Sequence, residues 1–416
     1  MDIMAFKPGW FRLNNIFINE LGQVPLEDRP LEITERKGLG HPDTMCDNIM
    51  NQISIDLSTE YTKRFGYIYH HNLDKGLLAA GGTTVKFGGG QVNKPILIVY
   101  GDRATFKVGN EDVPVNEIAM NSTKAWFKKN LRFVDPDTHV KYQSEIKPGS
   151  AALQDIFGRK KKGEYLGAND TSAAVGFAPY TSQEKLILNL EWYLNSKDFK
   201  KAHPESGEDI KLMALRRNKK VDMTVAIAFV DRFIKSEDDY FKKKNEIYEA
   251  INEFINGQGG FEEVKVSLNA LDVKGRGIDG LYMTVLGTSA EAGDSGQVGR
   301  GNNVRGVIAL NRPMSSEAAA GKNPVSHVGK IYNMLSYKIA DRIVSEVSGV
   351  KETYVWLLSR IGRPINEPSV ASAEIIAERG VSAKSLAPSI DEIIADEFDH
   401  LAEFCESLAK GHVNLR

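Results

Sequence analysis

Apolar positions set the first expectations. After Gly40–Asp43 they recur at Cys46, Ile49, Ile53 and Leu57, the spacing of one helical face. Residues 114–132 predict a second helix, and Leu186, Leu190 and Tyr193 share one face of a third over 182–195. The lysine-rich segment 234–256 reads as an amphipathic helix with a solvated face. Val328, Ile331, Leu335, Ile339 and Ile343 keep one side of a long helix apolar, with Gly349 as its C-terminal cap. The tail over 385–410 is expected to be helical. Strand-length apolar runs lie between these helices: 95–106, the pair 209–217 and 221–230, 265–272, 280–287 and 354–362. Residues 73–90 read as a strand, a tight turn and a glycine-rich corner. Residues 1–30 look like an irregular arm, and 144–170 like a loop-rich stretch. Residues 287–325 are the longest non-periodic stretch, and loops of that length inside a compact domain are usually functional. Hairpin-like strand pairs among helices favour an α+β class over a doubly wound parallel sheet.

Composition narrows the class. The chain has 416 residues, 42% hydrophobic and 26% charged, an ordinary globular mix. At roughly 150 residues per domain, about three folding units are expected. A formal charge of -2 gives no global argument for nucleic acid or membrane binding. Apolar runs such as Val225–Val230 and Pro95–Tyr100 fall far short of the about 20 residues a membrane span needs. Cys46 and Cys405 are too few for a disulfide framework, which points to a reducing compartment. No basic start followed by an apolar run marks the N-terminus, so a cytoplasmic location is expected.

The candidate chemistry is phosphate-directed. Gly275, Gly277 and Gly280 spell G-x-G-x-x-G, but the strand-like GLYMTVLG follows where a dinucleotide site needs a helix, so a turn is expected. Gly321-Lys322 is followed by Asn323, which excludes a Walker A motif. GHPD (40–43) sits at a strand-to-helix junction, where free N–H groups attract anions. There His41 can donate to a leaving oxygen and Asp43 can hold Mg²⁺ beside phosphates; as plain structure, Asp43 would be a cap. In the glycine-rich loop 287–303, Asp294 can accept from an amine or a ribose and Arg300 can clamp phosphate oxygens. Lys322 offers a point charge, whereas Lys330 reads as a surface lysine. Asp209 and Lys211 alternate, which puts both on one face of a strand. Asp170 is a turn aspartate or a reader of an adenine amino group. His70 and His71 are expected to face opposite ways, and the RKKK run (159–162) to be a solvated turn. Many cations, several carboxylates and no covalent nucleophile suit charge stabilisation of a polyphosphate rather than acyl transfer.

Longer strings carry a resemblance. ERKGLGHPD (35–43), HHNLDKGLL (70–78), KFGGG (86–90), ANDTS (168–172), GEDIKLM (207–213), GTSAEAGDSGQVGRGN (287–302), NRPMSSEAAAGKNPVSHVGKIYN (311–333) and IGRPINEP (361–368) together resemble the archaeal-type S-adenosylmethionine synthetases, or methionine adenosyltransferases. The resemblance spans about residues 30–370. It implies three similar α/β subdomains around a pseudo-threefold axis, an α+β fold with interleaved strands. Approximate borders are 31–145, 146–275 and 276–416 after an arm at 1–30. It implies a homodimer with active sites at the interface, and the reaction of ATP and L-methionine to S-adenosylmethionine, pyrophosphate and phosphate. Mg²⁺ is expected, and bacterial relatives also use K⁺. By motif match, His41 would assist the leaving O5′ and Asp43 would bind Mg²⁺. Lys211, Arg300 and Lys322 would line the triphosphate. Asp209, Asp294 and Ser295 would face the methionine or adenosine end, with Pro148, Gly149, Ser150 and Asp170 near the nucleotide. The thioether sulfur attacks C5′ without a base, and the leaving chain carries about four negative charges that the site must balance.

Three departures matter. Relatives carry an aspartate two residues after the PGS string, where this chain has Ala152; Asp155 or another group would have to substitute. Asn323 stands where bacterial enzymes have aspartate, and Gln91 where an acid is expected. Ala152 motivates the alternative of a catalytically impaired paralogue that binds ATP or S-adenosylmethionine. A bare tripolyphosphatase is a third reading.

Overall fold

The computed structural model describes residues 15–149, Phe157 and 164–413. In its first third, the strands are β1 (Ile16–Glu20), β2 (Leu31–Lys37), β3 (His71–Asn72), β4 (Leu77–Ala79), β5 (Gly82–Thr84), β6 (Gln91–Lys94), β7 (Ile96–Ala104), β8 (Lys107–Val108), β9 (Glu111–Asp112) and β10 (Val140–Pro148), with helices α1 (Pro42–Phe65) and α2 (Val115–Asn130). The middle holds β11 (Ala173–Ala178), α3 (Ser182–Leu194), α4 (Lys197–Ala202), β12 (Ser206–Arg217), β13 (Lys220–Val230), α5 (Glu237–Asn256) and β14 (Glu263–Leu268). The last part holds β15 (Met283–Thr284), β16 (Gly296–Gln297), β17 (Ile308–Ala309), α6 (Val328–Glu346), β18 (Val350–Leu358), β19 (Val370–Ala377), α7 (Ala383–Asp399) and α8 (Leu401–Ala409).

Three principal sheets result, which fits the expected α+β class. Their orders are β1-β19-β18-β11, β10-β7-β4-β16 with β3 beside β7, and β14-β13-β12-β2-β17 with β15 beside β13. Each sheet draws on distant stretches of chain. β2 lies antiparallel to β12, with Lys37 opposite Lys211. Local pattern explains the strongest pairing: β12 buries Ile210, Leu212 and Ala214, β13 buries Val221, Met223, Val225 and Ile227, and the two form an antiparallel pair. Their turn uses Asn218 at φ 55°, a left-handed conformation that Asn tolerates better than most residues.

Helix α1 buries Cys46, Ile49, Ile53 and Leu57, as the periodicity predicts. His41 caps its start, and Gly66 ends it in the left-handed conformation. The first half of helix α6, through Tyr337, is buried on every side, whereas its later turns expose Lys338, Asp341, Ser345 and Glu346.

Several element expectations need correction. The arm is not wholly irregular, because β1 pairs in parallel with β19 about the far end of the chain. The stretch from Ser144 begins as strand, since β10 continues to Pro148 beside β7. Residues 280–287 supply only the short β15, preceded by a 3-10 turn at Gly277–Gly280. That turn, with Gly275 and Gly277 at positive φ, is what the G-x-G-x-x-G string builds. Helix α6 is capped by Val347; Gly349, at φ 98°, bends the chain two residues later. Ser150, Ala152, Asp155 and the RKKK run lie outside the described residues.

Candidate active site

The start of α1 gathers the first cluster. Three glycines let four segments meet there. A Cβ on Gly38 or Gly40 would strike the β12 backbone at Ile210 or at Glu208 and Asp209, and one on Gly296 would strike the carbonyl of Pro42. The Thr288 hydroxyl donates to the Gly40 carbonyl at 2.7 Å, tying the long loop to the same corner.

His41 is buried, and its Nδ1 accepts the Asp43 backbone N–H at 3.2 Å. That bond leaves the ring proton on Nε2 in the neutral tautomer. Burial lowers the His41 pKa to about 4; Asp43 pulls it up, and Lys37 and Lys211 push it down. The ring is therefore a neutral donor at physiological pH. Asp43 Oδ2 meets Lys37 Nζ at 2.9 Å, and Oδ1 accepts the Gln297 N–H at 3.0 Å. One turn on, Asp47 Oδ1 accepts the Gly299 N–H at 2.8 Å. Two acids on one helix face thus dock the loop that carries Arg300. Lys37 also donates to the Arg300 carbonyl at 2.6 Å. The Arg300 guanidinium is exposed, with no hydrogen bond or ion pair among the described residues.

Lys211 is half-exposed and 3.2 Å from Glu35. Asp209 is buried, and its Oδ2 accepts both the N–H and the hydroxyl of Ser289, at 2.8 and 2.6 Å. Burial pushes its carboxyl up to about 6 against the Ser289 hydrogen bonds, and Asp294 and Lys211 act on it from nearby. Asp294 and Ser295 are exposed, and the Ser295 hydroxyl accepts the Ala80 N–H at 3.1 Å.

Lys322, Pro148, Gly149 and Asp170 have other neighbours. Lys322 Nζ is buried between Glu317 and Asp74, the latter at 3.3 Å. Lys322 bridges to Asn72, and Asn72 pairs across β3 and β7 with Arg103. On the other side of β7, Pro148 lies opposite Ala104, and the Gly149 N–H bonds the Ala104 carbonyl at 3.3 Å. Asp170 is near the start of α6, where the neighbouring Asn169 accepts the Val328 N–H.

Sequence reasoning missed part of this second cluster. Lys330 is not a surface lysine: it is buried, with Nζ on Asn51 Oδ1 at 2.7 Å, and burial lowers its pKa to about 7. His327 caps α6 with Nδ1 on the Gly329 N–H. Both fall within the quoted GKNPVSHVGK string, which was the available signal. His71 bonds the Ser54 hydroxyl at 2.8 Å, while His70 stacks edge-on to Phe157.

Helix α1 touches both clusters. Asp43 serves the first, and Ser54, which donates to the Lys322 carbonyl, serves the second. Eleven residues of helix separate them by about 16 Å. The Arg300 loop lies between the two ends, with Gly299 against Ala318 beside the Lys322 partner Glu317.

The family model described as S-adenosylmethionine synthetase (AdoMet synthetase) matches residues 14–412. The probable S-adenosylmethionine synthase of Aquifex aeolicus is 45% identical over 392 residues, 94% of this chain and 97% of that one. The S-adenosylmethionine synthase of Thermococcus gammatolerans is 47% identical over 382 residues, 92% of this chain and 94% of that one. A solved structure titled as an unusual S-adenosylmethionine synthetase from Campylobacter jejuni shares the fold, with a TM-score of 0.59 and 17% identity over 92% of this chain and 94% of that one. With these motifs, this fold and similarity along nearly its whole length, the chain belongs to the S-adenosylmethionine synthetase family.

Proposed function

We propose that the chain joins ATP and L-methionine into S-adenosylmethionine and releases pyrophosphate and phosphate. It is a methionine adenosyltransferase. The observation that carries the chemistry is the corner where His41, Asp43, Lys37 and Lys211 meet under the loop of Arg300. Sulfur attacks C5′ as the C5′–O5′ bond breaks, so charge grows on O5′ and its chain. A neutral His41 with its proton on Nε2 is suited to donate a hydrogen bond to O5′ without first needing to be charged. Lys211, together with Arg300, which has no ion pair among the described residues, supplies positive charge to the polyphosphate. Asp209 and Asp294 supply acceptors for the amine or hydroxyl groups of the substrates.

Mg²⁺ belongs to this proposal. No group of three or more metal-ligating side chains stands together among the described residues. A magnesium ion that shares phosphate oxygens needs only one or two carboxylates, and Asp43 fits, since each of its oxygens keeps a lone pair beyond its present partner. Bound there, the ion would neutralise charge on the leaving chain. K⁺ stimulation is a further expectation of the same reading.

The second cluster supports a homodimer. Among the described residues of one copy no hydrogen bond or ion pair joins Lys322 to His41, Asp43 or Lys211, and in the proposed dimer a second copy would bring its Lys322, Pro148, Gly149 and Asp170 to the first copy's His41. The outer face of the β10-β7-β4 sheet suits that docking: exposed Leu77 pairs with half-buried Val99, and Ala79 with half-buried Leu97. No helix among the described residues is long and apolar enough to cross a membrane; a cytoplasmic location is part of the proposal.

The test is incubation with ATP, Mg²⁺ and methionine, with and without K⁺. Both S-adenosylmethionine and phosphate are expected. Phosphate without the sulfonium product would make the chain a tripolyphosphatase, and neither product with retained ATP binding would make it the impaired paralogue.

A further inference from the structure

We propose that Ser289 is a positioning residue for this reaction, holding Asp209 and Asp294 as an adjacent pair of substrate-facing acids. The inference rests on the reaction proposed above. Ser289 uses every polar group it has. Its N–H and hydroxyl both reach Asp209 Oδ2. Its carbonyl accepts the N–H groups of Ala292, Gly293 and Asp294, at 3.2, 2.7 and 2.9 Å. One residue therefore fixes the carboxylate of Asp209 and folds the loop so that Asp294 stands beside it. Oδ1 of Asp209 accepts no hydrogen bond among the described residues, and is the oxygen left for a substrate amine or hydroxyl.

The arrangement has an electrostatic consequence. Two acids side by side, one of them buried, favour a proton on the buried one. The charged groups facing Asp209 are Asp294 from the loop and Lys211 from its own strand, and the hydroxyl of half-buried Tyr282 lies close as well. Burial and Asp294 raise the Asp209 carboxyl, and Ser289 and Lys211 oppose them. Ser289 thus keeps Asp209 ionised in the neutral range, where it can accept from a substrate.

The experiment is the pH profile of kcat/KM for wild type, Ser289→Ala and Ser289→Thr. A hydrogen bond to a charged group is worth enough to move the acid limb of S289A up by about one pH unit. Activity then falls about fivefold near pH 6, approaching tenfold near pH 5, and little near pH 8.5, and S289T restores the wild-type limb. An acid limb that stays in place in S289A, with activity lowered equally at every pH, overturns the proposal. If S289A does not fold, Ser289→Cys, a weaker donor, is judged by the same shift. The carboxyl carbon of Asp209, assigned against Asp209→Asn and titrated by ¹³C NMR, makes the same comparison without turnover. A wild type that forms no S-adenosylmethionine counts against the reaction, whereas an unmoved Asp209 titration counts against Ser289 alone.

Discussion

His41 Nδ1 accepts the backbone N–H of Asp43 at 3.2 Å, so one ring nitrogen caps a helix while the other carries the proton. The ring stays neutral above about pH 4 because burial outweighs the pull of Asp43. His41→Ala is expected to leave ATP affinity within a few-fold and to slow sulfonium formation by about 100-fold or more, the cost of losing one donor to a developing oxyanion. Single-turnover kinetics beside an ATP titration measure both. Because the ring is already neutral, no ionisation of His41 should shape the wild-type rate between pH 6 and 9. Unchanged turnover would remove His41 from the mechanism.

Asp43 is the proposed magnesium ligand. Asp43→Asn keeps an acceptor for the Gln297 N–H but removes the charge. The Mg²⁺ concentration that gives half-maximal activity should rise about tenfold or more. A magnesium titration that overlays that of the wild type would move the metal elsewhere.

Lys322 is already surrounded by acid, since Asp74 and Glu317 both pair with it. An incoming phosphate must compete with these carboxylates. Glu317→Gln should therefore tighten tripolyphosphate binding several-fold, while Lys322→Met should weaken it by about tenfold. Calorimetric titration with tripolyphosphate reads both variants. The opposite order would mean that Glu317 orients Lys322 for its ligand rather than occupying it.

Gly296 lies against the Pro42 carbonyl, with no room for a side chain. Gly296→Ala should cost about 1–3 kcal/mol of stability through overpacking and push the Arg300 loop off α1. Denaturant unfolding and the KM for ATP check the two effects. A variant as stable and active as wild type would show that the loop is not docked as described.

The legible parts of the fold were those with local causes. Helix α1 declared itself through Cys46, Ile49, Ile53 and Leu57, and the β12–β13 pair through alternation around a short turn. β1 was not legible, because its partner is β19, more than 350 residues away in sequence. The site divides in the same way. His41, Asp43, Asp209 and Lys211 meet as a cluster, joined by Asp294 and the Arg300 loop. Lys37 stood out beside GHPD, whereas Asp47, Glu317 and Ser289 were missed because their roles arise from loops folding onto α1 or onto one another. Lys330 was misread because the first turns of α6 are buried all round, while its exposed lysine, Lys338, lies two turns further on. Nothing in the order of residues says that, among the described residues, Lys322 pairs with Asp74 and Glu317 rather than with the groups around His41.

That difference in partners supplies the most direct test. If one product molecule draws on His41 of one copy and Lys322 of the other, two dead variants can repair each other. His41→Ala and Lys322→Met are purified, mixed, co-refolded and assayed for S-adenosylmethionine. A mixed dimer holds one site with both groups intact, so activity should return to a substantial fraction of the wild-type level, up to about one quarter when half of the dimers are mixed and each has one working site. A mixture no more active than its parts, with mixed dimers shown to form, would place both groups in the same copy and contradict the account.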